Sequence, residues 1–179
     1  MTMKTIRILA AAVLALSLSS CMKSKLEVTY NDQESRIDTY IASKGEGYRS
    51  LRIGGANRLV LKEGEGEELK ADGFVSFYYA GYTFNGGYNQ SNLFITNHQA
   101  TAEQAGWELT DADFQLYEIN LKDARLVQGL KGGLTGVKAG EECEIIFSGK
   151  YGFGNENFGI IPANSALLYK IWVVGVAND

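Results

Sequence analysis

Apolar and polar side chains alternate along most of the chain from Arg58 onward. Leu59 and Leu61 alternate with polar neighbours, and Val75, Phe77 and Tyr79 share one face of a strand predicted over 74–84. A period of two returns at 114–121 through Tyr117, Ile119 and Leu121, and at 141–148 through Cys143, Ile145 and Phe147. A final strand is predicted over 166–176. A helical spacing occurs earlier: Ile37, Tyr40 and Ile41 fall on one face of a helix predicted over 32–44, with Asp32 as its cap and Gly45 and Gly47 as its stop. Two shorter helical segments are expected at 101–107 and from Leu126 to Leu130. Residues 22–31 are polar without a period and read as a tether. Residues 48–56 are ambiguous apart from a turn at Gly54-Gly55. Residues 85–113 read mainly as a long loop, opened by Asn85-Gly86-Gly87. These elements predict a β-rich, turn-rich domain with helical segments, an α+β class.

The first residues follow a different logic. Lys4 and Arg7 precede an apolar run from Ile8 to Leu18, and Leu18-Ser19-Ser20-Cys21 follows. The run is shorter than the roughly 20 residues that a bilayer-spanning helix needs, and the charged–apolar–small order is that of a secretory leader. Leu18-Ser19-Ser20-Cys21 resembles the bacterial lipobox, which makes Cys21 the expected lipidation site. Residues 1–20 are then a lipoprotein signal peptide, 21–56 a tether with an N-terminal helical extension, and 57–179 the folded domain. The expected location is the cell envelope, lipid-anchored to a membrane, with the outer membrane facing the periplasm as the choice.

Composition narrows the chemistry. The net charge is −4 and becomes more negative once Lys4 and Arg7 leave with the leader, which argues against a nucleic-acid partner. The chain has 2 cysteines, and acylated Cys21 leaves Cys143 as a lone core thiol. His98 is the single histidine. A Ser-His-Asp site or a typical zinc site would have to use it, and no metal or other cofactor is expected. A loop position on the surface is the reading for His98. With 10 Tyr, 8 Phe and 21 Gly the composition suits a β-rich, turn-rich domain, and a site made from apolar and aromatic walls stays open.

Four ordered blocks then become specific. Val75-Ser76-Phe77-Tyr78-Tyr79-Ala80-Gly81 resembles the VxVxYTG strand of the FKBP-type peptidyl-prolyl isomerases. Leu126-Val127-Gln128-Gly129-Leu130-Lys131-Gly132-Gly133-Leu134 with Gly140-Glu141 is similar to that family's VIxGWxxGLxxMxxGE segment. Lys150-Tyr151-Gly152 matches AYG, and Ile160 to Leu167 resembles IIPPNSTL. The resemblance covers about residues 57–176. It implies a half-open antiparallel sheet wrapped around a short α-helix. Val75, Phe77, Tyr79, Cys143, Ile145, Phe147, Leu167, Tyr169 and Ile171 would form its inward face.

The resemblance also implies a pocket that holds a proline ring. By position, Tyr79, Phe94 and Tyr151 would act on the bound peptide, with Tyr117, Leu126, Val127, Leu130, Ile161 and Tyr169 completing the binding wall. Tyr88 is the alternative to Phe94. The family's floor tryptophan is Leu130 here, the aspartate after its pocket phenylalanine is Ile95, and the segment around residues 86–94 is longer. The implied activity is peptidyl-prolyl cis-trans isomerisation, acting as a folding catalyst on proline-containing unfolded or exported polypeptides. The alternative is a weak or inactive FKBP-like chaperone or binding module.

Overall fold

The computed structural model describes residues 24–45 and 47–178. Cys21 and the leader lie outside the described residues. The described chain is helical over 24–43 (α1), so the helix already includes 24–31, where the sequence pattern reads as a tether. No glycine or proline interrupts this stretch, and the Thr29 hydroxyl bonds back to the Lys25 carbonyl within it (3.1 Å). Among the described residues no helix is long and apolar enough to cross a membrane.

Seven strands form one antiparallel sheet: β1 Arg49–Ile53, β2 Ala56–Lys62, β3 Phe74–Thr83, β4 Leu93–Thr96, β5 Tyr117–Asn120, β6 Glu142–Phe147 and β7 Leu167–Ala177. Their order is β1-β2-β6-β7-β3-β4, with β5 also paired to β3. Short helices α2 (Gln99–Gln104) and α3 (Gln128–Leu134) complete the fold. The ambiguous segment 48–56 is the β1–β2 hairpin. Gly54 and Gly55 hold φ of 60° and 87°, the pair of positive values that a tight two-residue hairpin turn requires. The sheet therefore starts before residue 57.

Alternation separates two apolar clusters on opposite faces of the sheet. Val75, Phe77, Cys143, Ile145, Phe147, Leu167, Tyr169 and Ile171 join Leu130 and Leu134 of α3 in the inner cluster. Glycines let α3 lie close: a Cβ at Gly129 would overlap the Phe147 ring, and one at Gly133 would overlap Ile145. Ala80, Tyr82, Ile146 and Leu168 point the other way. They are covered by Ile37 and Tyr40 of α1 and by Tyr88, Leu93 and Trp107 from the 85–113 segment. The predicted loop is thus a structured cover for the outer face.

The outer cluster encloses a carboxylate. Glu144 is buried and accepts hydrogen bonds from the Tyr40 hydroxyl (2.8 Å) and the Tyr88 hydroxyl (2.7 Å). Burial, and then the Glu144 charge and hydrogen bond, push both phenols well above their usual range, so both remain donors. Tyr40→Phe leaves the carboxylate one donor short. It is expected to lower unfolding free energy by about 1–3 kcal/mol in a urea titration.

His98 departs from the surface reading. Its ring stacks on Trp172 at 3.9 Å and 8°, and it shares a 2.9 Å hydrogen bond with Thr101. Burial, helped by nearby Lys170, lowers its pKa. Cys143 is fully buried, and burial raises its thiol well above the usual range, as suits an inert core residue.

Candidate functional site

Nine residues singled out from sequence meet around the inner cluster. Leu130, Ile161 and Tyr169 belong to its buried core, and Tyr79, Phe94, Leu126, Val127 and Tyr151 pack against it as partly buried side chains. Tyr117 is 41% exposed and stands edge-on to both Phe77 (5.5 Å) and Tyr79 (5.8 Å). It thereby ties the β5 edge to the same wall.

Phe94 reaches this wall because β3 carries Gly81 beside its ring. A Cβ on Gly81 would lie 2.8 Å from the Phe94 ring and 2.9 Å from Ile95. With that space open, the Phe94 ring sits edge-on to Tyr169 at 5.8 Å and 85°, and Tyr169 pairs with Gly81 in the sheet. Tyr88, the alternative, lies on the outer face against Tyr82 (4.7 Å) and Glu144. The strand end is pinned by Asn97, whose side chain accepts from the Tyr79 N–H (2.6 Å) and donates to the Gln115 carbonyl (2.9 Å). Thr96 donates to the Tyr79 carbonyl at 2.8 Å.

Tyr151 is set by the β1–β2 hairpin. Its ring fills the space a Cβ on Gly55 would take. Val127, with extended backbone, stands just before α3, and Leu130 occupies the first turn of that helix, 6% exposed. Ile95, next to Phe94, is 41% exposed, an apolar side chain at the solvent boundary.

The electrostatics are those of a neutral wall. Burial, and then the neighbouring Tyr117, raises the Tyr79 hydroxyl, while burial, and then Tyr79, raises that of Tyr169. Both are uncharged donors at neutral pH. None of the nine residues is acidic or basic. Among the described residues no group of His, Cys, Asp and Glu is placed to hold a metal ion. Two cavities of about 460 and 550 Å³ lie elsewhere, one beside Ser76 and Gly175 and the other between Tyr78, His98, Phe114 and Trp172. The nine residues line neither.

Phe153 and Phe158 carry no role in the sequence pattern. Between Tyr151 and Ile161, Phe153 packs against the inner cluster and stacks on Phe158 (4.3 Å, 4°). Phe158 and Ile160 are 60% and 78% exposed. The available signal was the recurrence of large apolar residues in a stretch otherwise made of Gly, Asn and Glu.

The family model of FKBP-type peptidyl-prolyl cis-trans isomerases matches residues 65–174. The chain belongs to this family. It is 27% identical over 120 residues to the FKBP-type peptidyl-prolyl cis-trans isomerase FkpA of Buchnera aphidicola, covering 67% of this chain and 42% of that protein. The chain therefore spans less than half the length of that FKBP relative. FK506-binding protein 1 of Aspergillus oryzae is 21% identical over 117 residues, covering 65% of this chain and 94% of that protein. Among solved structures, FkpA from Escherichia coli superposes with a TM-score of 0.56 at 20% identity, covering 99% of this chain and 74% of that one. A Pseudomonas syringae peptidyl-prolyl isomerase superposes at 0.57 and 17% identity, covering 85% of this chain and 96% of that one. These structures support the FKBP fold. The 85–113 segment supplies Phe94 to the inner wall and covers the outer face with Tyr88, Leu93 and Trp107.

Proposed function

We propose that this protein is a peptidyl-prolyl cis-trans isomerase of the bacterial cell envelope that takes prolyl segments of unfolded or newly exported chains. The observation that carries the reading is the uncharged aromatic wall of Tyr79, Phe94, Tyr151 and Tyr169 around the inner cluster. Rotation about the X–Pro bond faces a barrier of about 18–20 kcal/mol because amide resonance must be broken. The twisted amide is less dipolar than the planar one, so an apolar wall that strips water from the imide favours the twisted state. Tyr79, Phe94 and Tyr169 supply the wall with Tyr117, Leu126, Leu130 and Ile161. The Val127 N–H and the Tyr151 hydroxyl orient the peptide, a fixed-dipole role that needs no proton transfer. No metal or other cofactor enters this chemistry.

The exposed pair Phe158 and Ile160 favours a second reading, in which the same surface holds apolar segments as a chaperone does. Leu130 and Ile95, standing for the family's tryptophan and aspartate, favour it too. A protease-coupled assay with a proline tetrapeptide separates the two. An isomerase gives a rate above the uncatalysed one. A folded sample with no such rate that still suppresses aggregation of an unfolded client is the binding module.

The envelope assignment rests on the lipobox-like Leu18-Ser19-Ser20-Cys21. A lipid on Cys21 would hold the domain at a membrane, with the periplasmic side of the outer membrane as the proposed site. A Cys21→Ser chain is then released to the soluble fraction, and one that stays membrane-bound after a salt wash contradicts the anchor.

A further inference from the structure

The loop that carries Tyr151 and Ile161 is closed at its base by a side chain from α1. Gln33 bridges two backbone groups far away in sequence. Its carboxamide oxygen accepts from the Gly149 N–H (2.9 Å), where the chain leaves β6. Its carboxamide nitrogen donates to the Asn164 carbonyl (2.6 Å), where the chain returns toward β7. The two legs touch there: a Cβ on Gly149 would stand 2.5 Å from the Asn164 carbonyl carbon.

Beyond this base the loop is tied to itself. The Asn164 N–H donates to the Gly154 carbonyl (2.6 Å), Phe158 and Ile161 exchange backbone bonds (3.0 and 2.9 Å), and the Ala163 N–H donates to the Asn157 side chain (2.7 Å). Such a unit moves as one body about its base. Tyr151 lies two residues from Gly149, and Ile161 three from Asn164, so a shift at the base carries both toward or away from the wall.

We propose that Gln33 is a positioning residue for the isomerase site, through which α1 on the outer face fixes the loop that presents Tyr151 and Ile161. The proposal rests on the isomerase reading of the inner wall. A carboxamide is the side chain that both donates and accepts at this reach. Glutamate at neutral pH would satisfy Gly149 and repel the Asn164 carbonyl, methionine fills similar volume without either bond, and asparagine is one methylene short. The helix has other anchors in Ile37 and the Tyr40–Glu144 hydrogen bond, so losing the carboxamide leaves α1 docked. What changes is the placement of the loop. Misplacing a reacting geometry by about 1 Å can cost on the order of a hundredfold in rate, so a partial shift here is expected to cost about tenfold.

The experiment compares the full chain with its Gln33→Met and Gln33→Glu variants. Turnover of a proline tetrapeptide is measured as kcat and KM, Gly149 amide exchange by NMR, and unfolding by urea. The expected result for Gln33→Met is a kcat lower by about tenfold with KM within about threefold, since the apolar wall is intact. Gly149 exchanges faster in that variant, and the unfolding midpoint falls modestly while the chain stays fully folded under assay conditions. Gln33→Glu restores Gly149 protection without restoring kcat. An active wild type whose kcat is unchanged in Gln33→Met overturns the positioning role alone, as does a kcat loss matched by general unfolding. A wild type with no isomerase rate overturns the reading of the wall, and this proposal with it.

Discussion

Replacing Arg58 by methionine is expected to cost about 3–5 kcal/mol of unfolding free energy at pH 7. Arg58 is 3% exposed on the inner face of β2. Its guanidinium donates to the Gly133 carbonyl (3.0 Å), the Thr135 carbonyl (2.8 Å) and the Gly136 carbonyl (3.2 Å), three acceptors at the C-terminal end of α3. Its Nε lies 3.4 Å from the carboxylate of Glu141, which is fully buried. Removing the cation strands both the helix end and a buried anion.

The pH dependence has a definite sign. Burial raises the Glu141 carboxyl above its ordinary 4.5, and the Arg58 charge opposes that rise. With a native pKa above the unfolded one, the group's contribution is fully present below pH 4.5 and is lost as pH rises through the native value. Arg58→Met removes the opposing charge and raises the native pKa further. The variant's deficit relative to wild type should therefore be smaller near pH 4 than at pH 7, in paired urea titrations. Adding Glu141→Gln to Arg58→Met should recover part of the loss at pH 7, because the uncompensated charge is gone. A deficit under about 1 kcal/mol at both pH values would show that the pair is solvated in solution.

Sequence pattern revealed the inner face because each of its strands repeats with a period of two and is anchored by large residues. Val75, Phe77, Cys143, Ile145, Phe147, Leu167, Tyr169 and Ile171 all fall in the inner cluster, with Tyr79 against it. It did not reveal the outer face. Tyr82, Leu93 and Trp107 come from separated segments, and the carboxylate bonded by Tyr40 and Tyr88 sits in an alternating strand where Glu144 looks solvent-facing. The strand β1 escaped notice because five residues at a sheet edge, largely exposed, carry little alternation. Nothing in the sequence pattern singles out Arg58 or Gln33, for a common reason. Their partners are backbone groups of α3 and of the 149–164 loop, and a backbone carbonyl leaves no mark in a sequence. Side-chain contacts to backbone groups are thus a part that only the folded chain displays.

The other large expected effect is on rate. Phe94→Ala should lower kcat/KM for a proline tetrapeptide by about 30-fold, while Tyr88→Phe leaves it unchanged. Fully truncating a buried phenylalanine costs about 3–5 kcal/mol, and Phe94 is half-buried, so about 2 kcal/mol of apolar wall is at stake. If that wall acts on the twisted imide, the loss appears in the barrier, and about 2 kcal/mol corresponds to about 30-fold. Tyr88 provides the contrast. It comes from the same 85–113 segment, but its hydroxyl is bonded to Glu144 on the other face of the sheet. Tyr88→Phe should therefore lower stability by about 1–3 kcal/mol and spare the rate. Opposite outcomes for two aromatics six residues apart would locate the chemistry on one face. Equal loss of rate in both variants, with both chains folded, would mean that the 85–113 segment acts as a whole and that the wall of Tyr79, Phe94 and Tyr169 is not the surface on which the imide turns.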